Sequence, residues 1–186
     1  MSLFEEYKII PESERPTELT DLIIRPAVID DAKELGRITA EREGGDPDEH
    51  ARRLERAITE WSKSSQGIIL VAVYESELVG FGKIRYFTLP PDSHANIAPQ
   101  GWYLSGVIVK PEYRRRGVGR QLTQARLNWI ALRADCAYYL ANAQNRVSIE
   151  LHQKLGFTEL TRDFIYPNVT FTGGVGILFV IKLARK

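Results

Sequence analysis

Residues 107 to 120 constrain the fold more than any other stretch of the chain. They read Val107-Ile108-Val109-Lys110-Pro111-Glu112-Tyr113-Arg114-Arg115-Arg116-Gly117-Val118-Gly119-Arg120. An apolar strand runs into a basic, glycine-bearing turn, and a helix begins directly behind it. The first amides of a helix have no internal acceptor, and the helix dipole places partial positive charge on them. Gly117 and Gly119 remove side chains where the backbone must curl, which leaves N–H groups to face an anion. The four arginines between 114 and 120 add charge-assisted donors. This arrangement is predicted to hold a diphosphate.

Two other phosphate motifs do not fit. A Walker loop needs Lys and then Ser or Thr after its second glycine, where this chain has Arg120 and Gln121. A dinucleotide fingerprint needs a third glycine at 122, which is Leu122.

Around this segment the hydrophobic pattern predicts strands, helices and turns in a definite order. Leu22-Ile23-Ile24 reads as a short strand ended by Arg25-Pro26. Asp30 or Asp31 is placed to cap a helix carrying Ala32, Leu35, Ile38 and Thr39 at helical spacing. Gly44-Gly45 breaks that helix, and Pro47 suits the first turn of a second one through Leu54, Ala57, Ile58 and Trp61. Two β-rich runs, 68–74 and 78–87, form an antiparallel hairpin turned at Glu75-Ser76-Glu77. A proline-rich loop over 88–100 leads to a strand over 103–109 and a helix over 117–134. Leu122, Ala125, Trp129 and Leu132 are expected on its buried face. A strand over 136–141, a helix over 146–155 closed by Gly156, and strands over 157–165 and 176–183 complete the chain.

Composition bounds the function. One core suits 186 residues, and residues 1–20 read as an arm, tied down at Phe4, Tyr7 and Ile9, before one domain over 21–186. Net charge is +1, from 25 basic and 24 acidic residues, so a field that would draw nucleic acid is not expected. Cys136 is the only cysteine, which excludes an internal disulfide and reads as a small buried strand residue. The three histidines lie far apart in sequence, so no metal is expected. The first residues lack a signal peptide's pattern, and no apolar run is long enough to span a membrane. A soluble, cytoplasmic protein is the resulting expectation.

The loop Arg114-Arg115-Arg116-Gly117-Val118-Gly119 resembles the acetyl-CoA loop of the Gcn5-related N-acetyltransferase (GNAT) family, Gln/Arg-x-x-Gly-x-Gly/Ala. A second stretch, Asn145-Arg146-Val147-Ser148-Ile149-Glu150-Leu151-His152-Gln153-Lys154-Leu155-Gly156-Phe157, is similar to that family's Asn-x-x-small-x-x-Leu-Tyr-x-x-x-Gly-Phe. It lies one helix and one strand beyond the loop, as the family requires. The opening Ile24-Arg25-Pro26 with Asp30-Asp31-Ala32 also resembles the family's start.

The resemblance implies a single-domain α/β (mixed α+β) GNAT-like fold. Its central sheet is mixed, mostly antiparallel and twisted, with about seven strands flanked by about four helices and splayed between strands 4 and 5. It further implies that acetyl-CoA binds with pantetheine filling the splay as an added strand. Carried over, the Val107 N–H polarises the thioester carbonyl, Ile108 and Val109 border pantetheine, and Arg114 to Arg120 enclose the pyrophosphate. Asn145 caps its helix and offers its amide, while Ser148 leaves room for a thin ligand arm.

His152 departs from the commoner pattern, which has tyrosine there to protonate the CoA thiolate. Imidazole can do the same work, and relatives resembling phosphinothricin acetyltransferases also have histidine. The plain alternative is a surface or capping histidine. No strand carboxylate offers a general base; Tyr103 would relay a proton through water or serve as an ordinary strand aromatic. Glu41, Glu43 and Asp46 are placed to draw in a cationic amine, with Tyr166 on the far wall, although charge runs also occur as solvated helix ends.

The implied activity is acetyl transfer from acetyl-CoA to the primary amine of a small molecule. A protein N-terminus or lysine as acceptor and a non-catalytic acyl-CoA-binding module are the alternatives. A nucleotide- or RNA-contacting protein ranks last, because the basic residues are confined to one turn. A homodimer is suggested by analogy with relatives alone.

Overall fold

The computed structural model describes residues 16–171 and 173–184, so Phe4, Tyr7 and Ile9 lie outside the described residues. In chain order the elements are β1 (Ile23–Pro26), α1 (Ala32–Glu43), α2 (Pro47–Ser64), β2 (Gly67–Tyr74), β3 (Glu77–Phe87) and β4 (Gly101–Val109). They continue as α3 (Val118–Ala131), β5 (Cys136–Asn142), α4 (Arg146–Lys154), β6 (Thr158–Thr161) and β7 (Gly176–Lys182). This is the order expected from the hydrophobic pattern. The seven strands form one mixed sheet in the order β1-β2-β3-β4-β5-β7-β6. β4 and β5 are parallel, paired at Tyr103↔Tyr138 and Leu104↔Tyr139. The β1–β2, β2–β3, β5–β7 and β6–β7 pairs are antiparallel.

The described residues divide into two compact units, one comprising 16–85 with Gly106–Arg126, the other Tyr86–Ser105 with those from Leu127 onward. In the first, strand alternation sorts side chains to two faces. Ile69, Val71, Phe81 and Ile108 meet Leu35, Ile38 and Leu54 from α1 and α2. Leu70, Ala72 and Val79 meet Val118 and Leu122 at the start of α3, together with Leu19. Each such apolar side chain taken from water contributes about 1.5–3 kcal/mol. The β2–β3 hairpin turns at Glu75 and Ser76, with φ of 47° and 68°. Positive φ at both central residues matches the twist of the flanking strands.

In the second unit β7 pairs along β5 from Cys136↔Lys182 to Asn142↔Gly176. Phe87, Tyr103, Ala98 and Leu178 form its core, with Tyr138 and Tyr166 packed against them. Cys136 is half-buried rather than fully buried, with its Sγ 3.6 Å from the Tyr138 hydroxyl. Among the described residues, no helix is long and apolar enough to cross a membrane.

Several local expectations need correction. α3 buries Leu122, Thr123, Arg126, Leu127, Ile130 and Ala131, while Leu132 is exposed. The buried stripe runs through Leu122, Arg126 and Ile130, with Ala125 and Trp129 half-buried on its flank, and Leu132 lies beyond the end of the helix at Ala131. Asp31 makes no side-chain cap to α1. Its carboxylate instead accepts from the Arg25 guanidinium at 2.7 and 2.8 Å and from the Val28 N–H at 2.8 Å. The hydrogen bonds from Arg25 hold its pKa below the usual carboxylate range, against the opposing effect of burial. The strand expected over 157–165 is regular only over Thr158–Thr161, and Ile165 instead bridges to Ile97.

Candidate active site

The glycine turn lies in the first unit. Lys110 fixes the end of β4 by donating to Glu34 at 2.8 Å and Glu77 at 2.7 Å. After a 3-10 turn at Pro111–Tyr113, Arg115 and Gly117 adopt φ of 61° and 82°. At Gly117 that conformation is one an L side chain resists. α3 then begins, and the first N–H to find a backbone acceptor is that of Gln121, bonded to the Gly117 carbonyl at 3.0 Å. Among the described residues, the N–H groups of Gly117, Val118, Gly119 and Arg120 donate to no backbone acceptor. These are the orphan amides of a helix start, gathered in a concave turn suited to an anion.

Several arginine side chains of the turn are engaged within the protein. Arg114 Nε donates to the Val109 carbonyl at 3.0 Å, and Arg116 Nε to the Thr17 carbonyl at 3.4 Å. The Arg116 guanidinium also lies 5.9 and 6.0 Å from the ring centres of Tyr74 and Tyr113. Arg120 donates to Glu18 at 2.7 Å. The side chain of Val118 is buried in the core, so its backbone amide is the group it can offer a ligand.

On β4, Ser105 and Gly106 are exposed between the buried Leu104 and Ile108. Gly106 takes φ of 50°, a kink that interrupts the regular strand. Val107 beyond it accepts a hydrogen bond at its carbonyl from Arg42 Nη1 at 2.5 Å. Ile108 belongs to the core on the α1–α2 side, while Val107 and Val109 pack toward α3. Tyr103 is a buried strand aromatic whose hydroxyl donates to the Pro99 carbonyl at 2.6 Å. Burial raises its pKa far above the ordinary phenol value. That suits the strand-aromatic reading, and we assign Tyr103 no proton-transfer step.

α4 lies in the second unit. Asn145 caps it, its side-chain oxygen accepting from the Ser148 N–H at 3.2 Å. The Ser148 hydroxyl is 2.5 Å from that of Tyr139. His152 is buried, which rules out the surface histidine alternative. Its ring lies flat on Tyr139, with centroids 3.6 Å apart and planes 3° from parallel. Nδ1 sits 2.8 Å from the Ser148 carbonyl, so Nδ1 carries the hydrogen in the neutral ring and Nε2 remains to exchange a proton.

The residues expected around an acceptor belong to α1, to the cap of α2 and to the segment after β6. Glu41 and Glu43 are exposed at the end of α1. The Asp46 carboxylate caps α2 by accepting from the Asp48 N–H at 3.0 Å. Tyr166 stacks in the aromatic cluster, 4.7 Å from Phe87 and 5.1 Å from Tyr103.

The model of the Acetyltransferase (GNAT) family matches residues 29–157. The chain belongs to the GNAT acetyltransferase family. Among curated proteins, the aminoglycoside N(6')-acetyltransferase type 1 of Salmonella typhimurium is 35% identical over 66 residues. That match covers 34% of this chain and 45% of the relative, so the chain spans about half the length of the curated relatives it matches. Among solved structures, a GNAT acetyltransferase from Streptococcus pneumoniae aligns with a TM-score of 0.64 at 17% identity, covering 88% of this chain and 100% of that one. A ribosomal-protein-alanine N-acetyltransferase from Brucella melitensis aligns with a TM-score of 0.65 at 21% identity, covering 87% and 99%. These structural likenesses establish the GNAT fold.

GNAT proteins use acetyl-CoA, and the turn before α3 fits its diphosphate: the orphan amides and the left-handed curl make an anion cradle. Sequence reasoning missed Glu18, which belongs to the segment read as an arm. Leu19 is buried there, and its N–H donates to the Arg116 carbonyl at 3.0 Å. Glu18 therefore places a carboxylate on Arg120, and a Cβ built on Gly117 would lie 3.3 Å from its Cδ. Such a carboxylate opposes an incoming diphosphate. Glu18→Gln is expected to lower the acetyl-CoA dissociation constant about two- to fivefold, the scale of an exposed ion pair. Titration calorimetry checks this, and an unchanged or weaker affinity would show that Glu18 leaves the cradle alone.

Proposed function

We propose that this chain is an acetyl-CoA-dependent N-acetyltransferase whose acceptor is the primary amine of a small molecule. The observation that carries the reading is the cradle of backbone amides from Gly117 to Arg120 at the start of α3, behind the kinked β4. When bound there, acetyl-CoA supplies the acetyl group as an activated thioester. The backbone amides of residues 117–120 would hold its diphosphate, and Asn145 and Ser148 would border its thin arm. The Val107 N–H would offer its dipole to the thioester carbonyl oxygen. A cationic amine would give up two protons, one to solvent before attack and one as the N–C bond forms and the C–S bond breaks. His152, whose neutral ring keeps its hydrogen on Nδ1, would take up the proton released by the attacking nitrogen at Nε2 and pass it to the departing sulfur, held in register by its Nδ1 bond and its stack on Tyr139. Glu41 and Glu43 favour the approach of a cationic amine.

The small-molecule acceptor is supported by the likeness to an aminoglycoside acetyltransferase. The decisive experiment has two arms. Acetyl-CoA should raise the melting temperature where ATP and NAD do not, because a ligand that binds the native state stabilises it. Free-thiol release should then exceed the no-acceptor rate with small amines. Release with peptides bearing a free N-terminus or lysine, and not with small amines, would make the acceptor a protein. No thermal shift with acetyl-CoA would sink the reading.

A further inference from the structure

We propose that Lys83 and Arg42 form a binding site for a carboxylate carried by the acceptor close to its reacting amine. The proposal rests on the acetyltransferase reading above and names the chemical class of its acceptor.

Lys83 lies on β3 in the first unit, opposite Ile69 on β2 and two residues from Phe81. Its ammonium sits 5.8 Å from the Phe81 ring centre. Among the described residues it has neither a hydrogen-bond acceptor nor an ion-pair partner, unlike Lys110, which is held by two carboxylates. Burial lowers the Lys83 pKa; Arg42 acts in the same direction, and Glu43 acts against both. An ammonium taken from water without an anion is costly, and an anionic ligand relieves that cost.

Its position gives the charge a use. A Cβ built on Gly106 would stand 3.4 Å from Lys83 Cε, so the lysine stem passes the kink in β4. Arg42 reaches the next residue, donating to the Val107 carbonyl through Nη1. That bond uses one of the five N–H donors of a guanidinium, and the others have no acceptor among the described residues. Two cations thus flank residues 106 and 107, beside the N–H expected to face the thioester. With Glu43 nearby the three side chains carry a net single positive charge, which matches a carboxylate better than a dianionic phosphate. Further along the same face of β3, Arg85 lines an open groove of about 810 Å³ with Arg53, Arg56, Lys63 and Trp61, so the positive character continues away from β4. An amino-acid-like acceptor meets both signs of charge: its ammonium is drawn by Glu43 and its carboxylate by Lys83 and Arg42.

The test compares amino acids with their carboxamides, which keep the amine and the side chain and lose the negative charge. Thiol release is measured for each pair with wild type, Lys83→Met, Lys83→Gln and Arg42→Gln, after checking that each variant melts cooperatively. Wild type is expected to favour the carboxylate by roughly tenfold or more in kcat/KM, the scale of a hydrogen bond to a charged group. The ratio should fall toward one in the Lys83 variants and partway in Arg42→Gln, chiefly through KM. The acetyl-CoA shift in melting temperature should persist in all of them. Carboxamides used as well as carboxylates, a preference that survives in the variants, or no amino acid acetylated by a protein that binds acetyl-CoA would each overturn the carboxylate site. Failure of the underlying reading looks different: no acetyl-CoA stabilisation in wild type.

Discussion

Replacing His152 with alanine is expected to reduce turnover by about 10²- to 10⁴-fold, the usual contribution of a positioned proton-transfer group. The acetyl-CoA dissociation constant should move by less than about threefold, because the group acts on the departing sulfur rather than on the diphosphate. His152 is buried and stacked on Tyr139, so alanine also leaves a cavity costing roughly 2–4 kcal/mol. A fall in melting temperature is therefore expected and does not by itself count for the mechanism. His152→Gln separates the two effects. It keeps a polar side chain of similar length, recovers part of the stability, and has no nitrogen that titrates. Turnover should stay low in both variants. Near-wild-type turnover in either one, measured at saturating acetyl-CoA, would remove His152 from the proton path and leave it a core residue.

The second large effect is expected at Gly117. Its φ of 82° places it where an L residue pays about 1–2 kcal/mol, and more when branched at Cβ. A side chain there also meets Glu18 at 3.3 Å. Gly117→Val should swing the turn so that the amides of 117 to 120 no longer converge. Acetyl-CoA affinity is expected to fall by about 10- to 100-fold, as several charge-assisted bonds are lost together. The fold itself should survive, since Val118 and Leu122 hold the start of α3 in the core. A folded Gly117→Val protein that bound acetyl-CoA as tightly as wild type would move the diphosphate away from this turn. Calorimetry reads the affinity, and thermal melting confirms folding.

The element order was legible because each run carries its own period. The run of branched residues over 68–74 and the turn at Glu75-Ser76-Glu77 announce a hairpin, and Leu35, Ile38 and Thr39 announce a helix face. The glycine turn before α3 was legible for a similar reason, since strand, glycines and helix start are contiguous in the chain. What escaped notice is set by the particular partner each side chain finds. Asp31 looks like a cap until Arg25 takes its carboxylate. The face of α3 was drawn with Leu132, yet Arg126 is the side chain buried there, its Nη2 donating to Thr123 at 2.9 Å. Glu18 could not be placed on Arg120 across 102 residues by any local rule. Lys83 left a faint signal, a cation following Phe81 in the strand's alternation where an apolar residue would be ordinary.

The rims of the sheet carry one more consequence. Its outermost strands, β1 and β6, are each four residues long, and β1 ends on Pro26, which has no N–H to offer. A neighbouring molecule finds little main chain there to latch onto, so concentrated solutions should resist fibrillar self-association.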